Sequence, residues 1–226
     1  MVDAPPEVRP LLGIMELPAA DYYPEEVHET RVAILILFYG GDPAEGEAVL
    51  APLREFGDPV SDSVRRRSYA AWQQVGESAA VARTYVRSQY VDALSDPAID
   101  AIVDHGAAAP SADSTVFVSP RGGAETEPAS DVTAYHHREE SHHLLVEARW
   151  SDPDQDDEHV GWVRRFHEAV RPHTNGAAAM NFLTADEPDA RLRAAYGDNY
   201  DRLVALKDEW DPENVFRLNQ NVEPSG

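Results

Sequence analysis

The sequence predicts an α+β fold: an antiparallel sheet flanked by helices, closed by a C-terminal helical segment. Strand-like and helix-like stretches follow one another without regular βαβ alternation, which argues against a parallel sheet. The longest apolar run, Val32 to Tyr39, is strand-sized. The last helical stretch carries Tyr200, Leu203, Leu206 and Trp210 at helical spacing and stops at Asp211-Pro212.

Residues 1–30 are rich in Pro and Glu and read as an extended lead-in. Thr30 to Tyr39 is β-branched and aromatic, a buried strand, broken by Gly40-Gly41-Asp42-Pro43. Pro43 to Phe56 reads as a helix with Ala48, Leu50 and Leu53 inward, ended by Gly57. Tyr69 to Gln74 suits a short helix and Thr84 to Tyr90 a strand. Ser95 stands as an N-cap before Asp96-Pro97, opening a helix through Ile99, Ile102 and Val103 to about His105. Ser114 to Ser119 is the next strand. Val132 to His137 and His143 to Trp150 read as a hairpin turning at Arg138–Ser141. Asp156 to Arg171 has acids in its first turn and an apolar stripe of Val160, Val163, Phe166 and Val170, a helix. Ala177 to Leu183 reads as a short strand, and residues 107–113 and 151–158 as loops.

Composition narrows the function. The chain has 226 residues, 42% of them hydrophobic, enough for a real core. No apolar run approaches the roughly 20 residues of a membrane span. The N-terminus has no signal-peptide character, and the expected location is cytoplasmic. There is no cysteine, so disulfide and thiolate chemistry are excluded. The formal net charge is −22, from 41 acidic against 19 basic residues, which disfavours nucleic acid as a partner. A single residue among the 19, Lys207, is lysine. Excess carboxylate with almost no lysine fits adaptation to high salt, where charge is screened within about 3 Å at 1 M. The composition resembles a haloarchaeal proteome.

His136, His137, His142 and His143 invite a metal reading. On paired strands, however, neighbours point to opposite faces, and a two-histidine site lacks the third ligand of a catalytic zinc centre. No metal is expected, and the four are read as a hairpin rich in solvated histidine.

The C-terminal spacing alone describes a docked helix with a polar tail. Its residue types say more. Tyr196, Gly197, Asn199, Tyr200, Arg202, Leu203, Lys207, Asp211, Pro212, Asn214, Phe216, Asn219, Gln220 and Asn221 match, at fixed offsets, the C-terminal motif of berberine-bridge-enzyme-like FAD-linked oxidases. Gly40-Gly41-Asp42 through Glu47 with Pro52-Leu53-Arg54-x-Phe56-Gly57 resembles the start of that family's substrate domain. Gly122-Gly123-Ala124 and Thr133-Ala134-Tyr135-x-His137-Arg138 resemble its active-site-facing segment, and Trp150 and Trp162 flank the following loop. The resemblance implies a substrate-binding domain over 1–183 and a berberine-like segment over 184–226 that would pack on an FAD-binding domain.

Family members begin with a roughly 200-residue FAD-binding domain. This sequence has no glycine-rich phosphate loop, and its Gly-Gly pairs suit turns. The resemblance therefore implies FAD shared with a separate FAD-binding domain or subunit, a small-molecule substrate, and no tight flavin binding by this chain alone. A split oxidase and a non-catalytic binding remnant are the alternatives. It also implies Asn181, Asn219, Gln220 and Asn221 near the flavin ring and Tyr135, His137 and Arg138 as catalytic candidates, a base beside a stabilising cation. The family's Tyr-x-Asn is here Ala179-Met180-Asn181, so a base at position 179 is lost.

Overall fold

The structure, a computed structural model, describes residues 4–21, 23–74 and 83–226. The first three residues of the lead-in and Tyr22 lie outside that set. Five strands form one antiparallel sheet in the order β2-β1-β4-β5-β3, with β1 Val8–Glu16, β2 Arg31–Tyr39, β3 Arg83–Val91, β4 Thr115–Pro120 and β5 His142–Trp150. The helices are α1 Gly46–Arg54, α2 Tyr69–Gln73, α3 Asp96–Ala107, α4 Asp156–Val170, α5 Asp189–Tyr196 and α6 Tyr200–Trp210. The α+β expectation is met.

Side chains alternate across a strand, so register assigns the faces. Ile14, Val116 and Val146 share a row, and with Leu144, Ala148 and Trp150 they build the covered face. Trp162, Val163, Phe166 and Val170 of α4 pack on it, as the apolar stripe predicts. Helix α3 packs beside α4, capped by Ser95, whose Oγ accepts from the Ala98 amide. The Trp162 indole donates to the His105 carbonyl at 3.0 Å and ties the two helices together. Trp150 stacks on His159 at 4.8 Å, and its indole donates to Asp156 at 2.7 Å, fixing the start of α4.

The opposite row, Ile34, Gly13, Phe117 and Leu145, faces away from these helices. So does the row Ser119, His143 and Tyr90. Gly13 is required there, because a Cβ would sit 2.9 Å from the Phe117 ring.

Three sequence expectations need correction. The lead-in contains β1, an interior strand. Pro10 lies in it beyond the Leu12–Ile14 ladder to β4, so its missing N–H breaks none of those pairs. Residues 132–137 are not a strand, and there is no hairpin: β5 pairs with β3 and β4 instead. Tertiary clamps override the β propensity of that run. The Asn199 amide donates to the Ser130 carbonyl at 2.6 Å and the Thr133 carbonyl at 3.1 Å, while Arg138 holds the Thr133 hydroxyl at 2.8 Å. Third, residues 177–183 form irregular backbone and a single 3-10 turn, Met180–Phe182. The Tyr90 amide still donates to the Ala177 carbonyl at 3.2 Å, which covers part of the free edge of β3.

Candidate functional site

A cleft of about 580 Å³ opens on the face that α3 and α4 leave uncovered. One wall is aromatic. Phe38 of β2 meets Trp72 at 5.3 Å and Tyr69 at 6.4 Å between ring centroids, both on α2. The other wall carries Tyr90, Tyr135, His143, Asn181 and Phe182, with Arg9, Arg121 and Glu125 among the polar lining.

Arg121, one residue past β4, organises the polar end. Its Nε donates to Glu125 Oε1 at 2.9 Å, Nη1 to Glu140 at 3.2 Å and Nη2 to the Tyr135 hydroxyl at 2.6 Å. Nη2 also donates to the His137 carbonyl. The guanidinium lies 4.7 Å over the Tyr90 ring and 5.6 Å over Tyr135. The Tyr135 hydroxyl donates to Glu125 at 2.9 Å. Its one proton is then engaged, so the 3.2 Å contact with Tyr90 is a donation from Tyr90. The result is a hydroxyl chain, Tyr90 to Tyr135 to the Glu125 carboxylate. Burial first, then the bond to Tyr90, pushes the Tyr135 phenol up, so it stays protonated.

The other two catalytic candidates face elsewhere. His137 Nδ1 meets Glu140 at 2.6 Å and Nε2 meets the Ala194 carbonyl at 2.8 Å, so both nitrogens are taken up within the chain and neither is turned to the cleft. Burial works to raise the Glu140 carboxyl, but hydrogen bonds and the charges of His137 and Arg121 outweigh it and bring it down to about 2. Arg138 donates to the Glu125 carbonyl at 2.6 Å and its guanidinium sits 5.1 Å from the Tyr135 ring centroid, bracing both partners of the Tyr135–Glu125 bond. Of the three, Tyr135 lines the cleft.

The histidines are not a solvated group. His137 is buried, and His143 lies between Tyr90 at 5.3 Å and Phe182 at 5.7 Å. Its Nε2 is buried without a hydrogen-bond partner among the described residues. Burial, with the charge of Arg121 second, pulls His143 down to about 4, so the ring is neutral at pH 7. No group of three His, Asp or Glu among the described residues converges as a metal site.

The amides divide. Asn181 lines the cleft. Gln220 and Asn221 line a second, shallow groove of about 470 Å³ with Tyr196, Leu203, Leu206, Trp210 and Phe216. Asn219 turns the tail there at φ 60°. The two places are linked, because the Gln220 amide donates to the carbonyl of Leu183, two residues beyond Asn181. Lys207 locks the groove by bonding Asp211 and the Phe216 carbonyl. Gly197 joins α5 to the next turn at φ 54°, and a Cβ there would lie 2.1 Å from the His136 ring, so the motif's glycine is fixed by strain and by space.

Sequence reasoning missed Tyr90, Arg121, Glu125 and His143. The one available signal was an arginine directly after a strand. Nothing local marks Tyr90 or Glu125 as its partners.

The cleft offers an aromatic wall, the Asn181 amide and the His143 Nε2, which has no partner among the described residues, a lining that fits a heteroaromatic ring such as the flavin's. No described segment offers a cradle for a pyrophosphate. The fit is to the ring and its edge.

Comparison with known proteins adds the following. The family described as "Berberine and berberine like" matches residues 179–223. The FAD-linked oxidoreductase YgaK of Bacillus subtilis is 27% identical over 212 residues, covering 90% of this chain and 45% of that protein. A second FAD-linked oxidoreductase, from Dictyostelium discoideum, is 23% identical over 84% of this chain and 42% of its own length. The chain thus spans about half the length of these relatives. Among solved structures, Physcomitrella patens BBE-like 1 superposes with a TM-score of 0.77 at 19% identity, over 98% of this chain and 48% of that one. A chitooligosaccharide oxidase gives 0.77 at 17% identity, over 99% of this chain and 50% of that one. These superpositions establish a shared fold.

Proposed function

We propose, from the premise that the chain belongs to the berberine-bridge-enzyme-like family of FAD-linked oxidoreductases, that it is the substrate-facing half of such an enzyme. The observation that carries this is the uncovered sheet face. It holds a cleft lined by aromatic rings, a hydroxyl chain and Asn181, and the Gln220–Leu183 hydrogen bond ties the segment after Asn181 to an exposed apolar C-terminal groove. Bound FAD would supply the hydride acceptor for oxidation of a small molecule. Asn181 would contact the ring edge, with Asn219, Gln220 and Asn221 completing the contact from the groove side once the FAD-binding half is docked.

The chain's own chemistry is proton handling. With Ala179 in place of a tyrosine, the hydroxyl chain is the proton route: Tyr90 would take a proton from a substrate and pass its own to Tyr135, which passes its own to Glu125. Arg121 holds that acceptor and fixes both tyrosines. His137 and Arg138 position the loop that carries Tyr135.

Affinity for FAD comes mainly from the half that holds its phosphates. Neutral amide bonds contribute roughly 0.5–1.5 kcal/mol each, against an association cost of roughly 4–15 kcal/mol. The purified chain is therefore expected to be colourless, without stoichiometric flavin or oxidase activity. Adding the cognate FAD-binding half is expected to give a flavin-bound complex, and Asn181→Ala to lower its turnover. A yellow chain that turns over alone contradicts the division of labour. Failure of any FAD-binding half to associate contradicts the proposal itself. A cytoplasmic, high-salt setting belongs to the same reading, from the acidic composition. No helix among the described residues is long and apolar enough to cross a membrane.

A further inference from the structure

The cleft's charges are unevenly satisfied. Arg121 is enclosed, its side chain 2% exposed, with its charge met by Glu125 and Glu140. Glu125 is in turn taken up by Arg121 and Tyr135. Arg9 differs. It projects from β1 on the cleft face, opposite Phe38 in register. One of its amino groups donates to the Gly122 carbonyl. No ion pair joins it to a carboxylate among the described residues. A guanidinium has five N–H donors, so most of its donors remain unused. His143 across the cleft adds no charge at neutral pH, since burial holds its ring uncharged.

This matters because the chain as a whole carries 41 acidic against 19 basic residues. Its general field repels anions. Inside the cleft that acidic excess is absent: Arg121 is matched by Glu125 and Glu140, Arg9 is left without a carboxylate among the described residues, and aromatic walls lower the local polarity. A guanidinium in such a site pairs a carboxylate bidentately and more strongly than at an open surface. Phe38, Trp72 and Tyr69 stand beside it as a stacking surface for a flat ring.

We propose that the cleft binds a flat-ring carboxylic acid, with Arg9 pairing the carboxylate and the Phe38–Trp72–Tyr69 wall holding the ring. This rests on the reading of the cleft as the substrate site and names the substrate class. Cationic amines are disfavoured, because the cleft has no uncommitted carboxylate among the described residues.

The experiment is calorimetric titration of the full chain, without flavin, at fixed KCl. The probes are naphthoate, its neutral amide and naphthylmethylamine, three ligands of one ring and different charge. Naphthoate is expected to bind about tenfold more tightly than either other probe. Arg9→Gln should bring naphthoate down to the amide's affinity and leave the amide unchanged, which also shows that the cleft is intact. Arg9→Lys should keep part of the preference, and Trp72→Ala should weaken the acid and the amide alike. Equal binding of naphthoate and amide by the unaltered chain overturns the proposal. So does equal weakening of both by Arg9→Gln, or no binding of any probe. Acid binding with no recruitment of an FAD-binding half would leave the anchor standing and remove the redox reading, so the two failures are distinguishable.

Discussion

The two faces of the sheet are made by the same strands and have opposite fates. On the covered face, Val116, Val146, Ala148, Val163 and Phe166 are each at most 3% exposed. The helices that bury them were specified by capping and by a clean apolar stripe. On the other side, Phe38, Tyr69 and Trp72 edge the cleft, and in the C-terminal segment Trp210, Phe216 and Leu218 are 77%, 83% and 87% exposed. Scattered exposed apolar residues are ordinary, but Leu206, Trp210, Phe216 and Leu218 gather around one groove, which is where the proposed partner would be expected to dock. Under the proposed function, the partner half and the chemistry both belong to the open side.

The largest effect should separate the faces directly. Phe166→Ala removes a ring from the sealed core and is expected to cost roughly 3–5 kcal/mol by denaturant unfolding. Phe216→Ala on the open side should change stability by less than about 0.5 kcal/mol. Comparable losses would mean that the tract around Phe216 is part of the folded core after all.

Salt acts on both faces through the net charge of −22. Melting temperature is expected to rise steeply between dilute buffer and molar KCl as repulsion among carboxylates is screened. A flat or falling profile would remove the high-salt reading of the composition.

A smaller effect tests one histidine from each side. His143 faces the cleft and His167 is a buried residue of α4, and burial first, then nearby arginine charge, brings each down to about 4. Both unfolded rings titrate near 6.5. A depressed folded pKa means stability that is present above about pH 6.5 and lost as pH falls toward about 4. Stability should therefore fall over that window, and His167→Gln and His143→Gln should each flatten part of the slope. If the slope is unchanged in both variants, other groups set the acid limb.

The covered face was largely legible in the sequence, because periodicity reports burial against the same chain. Ser95 and the stripe from Val160 to Val170 came from local rules; the run Val32 to Tyr39 is a strand as expected, but it lies at the sheet edge with no buried residue, not as the buried strand its apolar run suggested. Strand β1 was hidden by Pro5, Pro6 and Pro10, since prolines signal a lead-in unless the ladder they spare is known. The loop carrying Tyr135, His137 and Arg138 was misread as strand for a related reason. Its path is set by distant groups, Asn199, Glu125 and the Ala194 carbonyl, which no window of sequence contains. The motif residues told more than spacing could. They flagged Asn181, Gln220 and Tyr135, but not their neighbours Tyr90, Arg121 and Glu125, which become neighbours only when β3, β4 and the following loop meet.

The most direct test of the open-face account is amide hydrogen exchange of this chain with and without a cognate FAD-binding half. The account predicts new protection in the segments containing Leu206, Trp210 and Phe216 and in those containing Tyr135 and Asn181, with α3 and the core of α4 unchanged. Protection confined to the α3–α4 side, or no change anywhere at saturating partner, would contradict it.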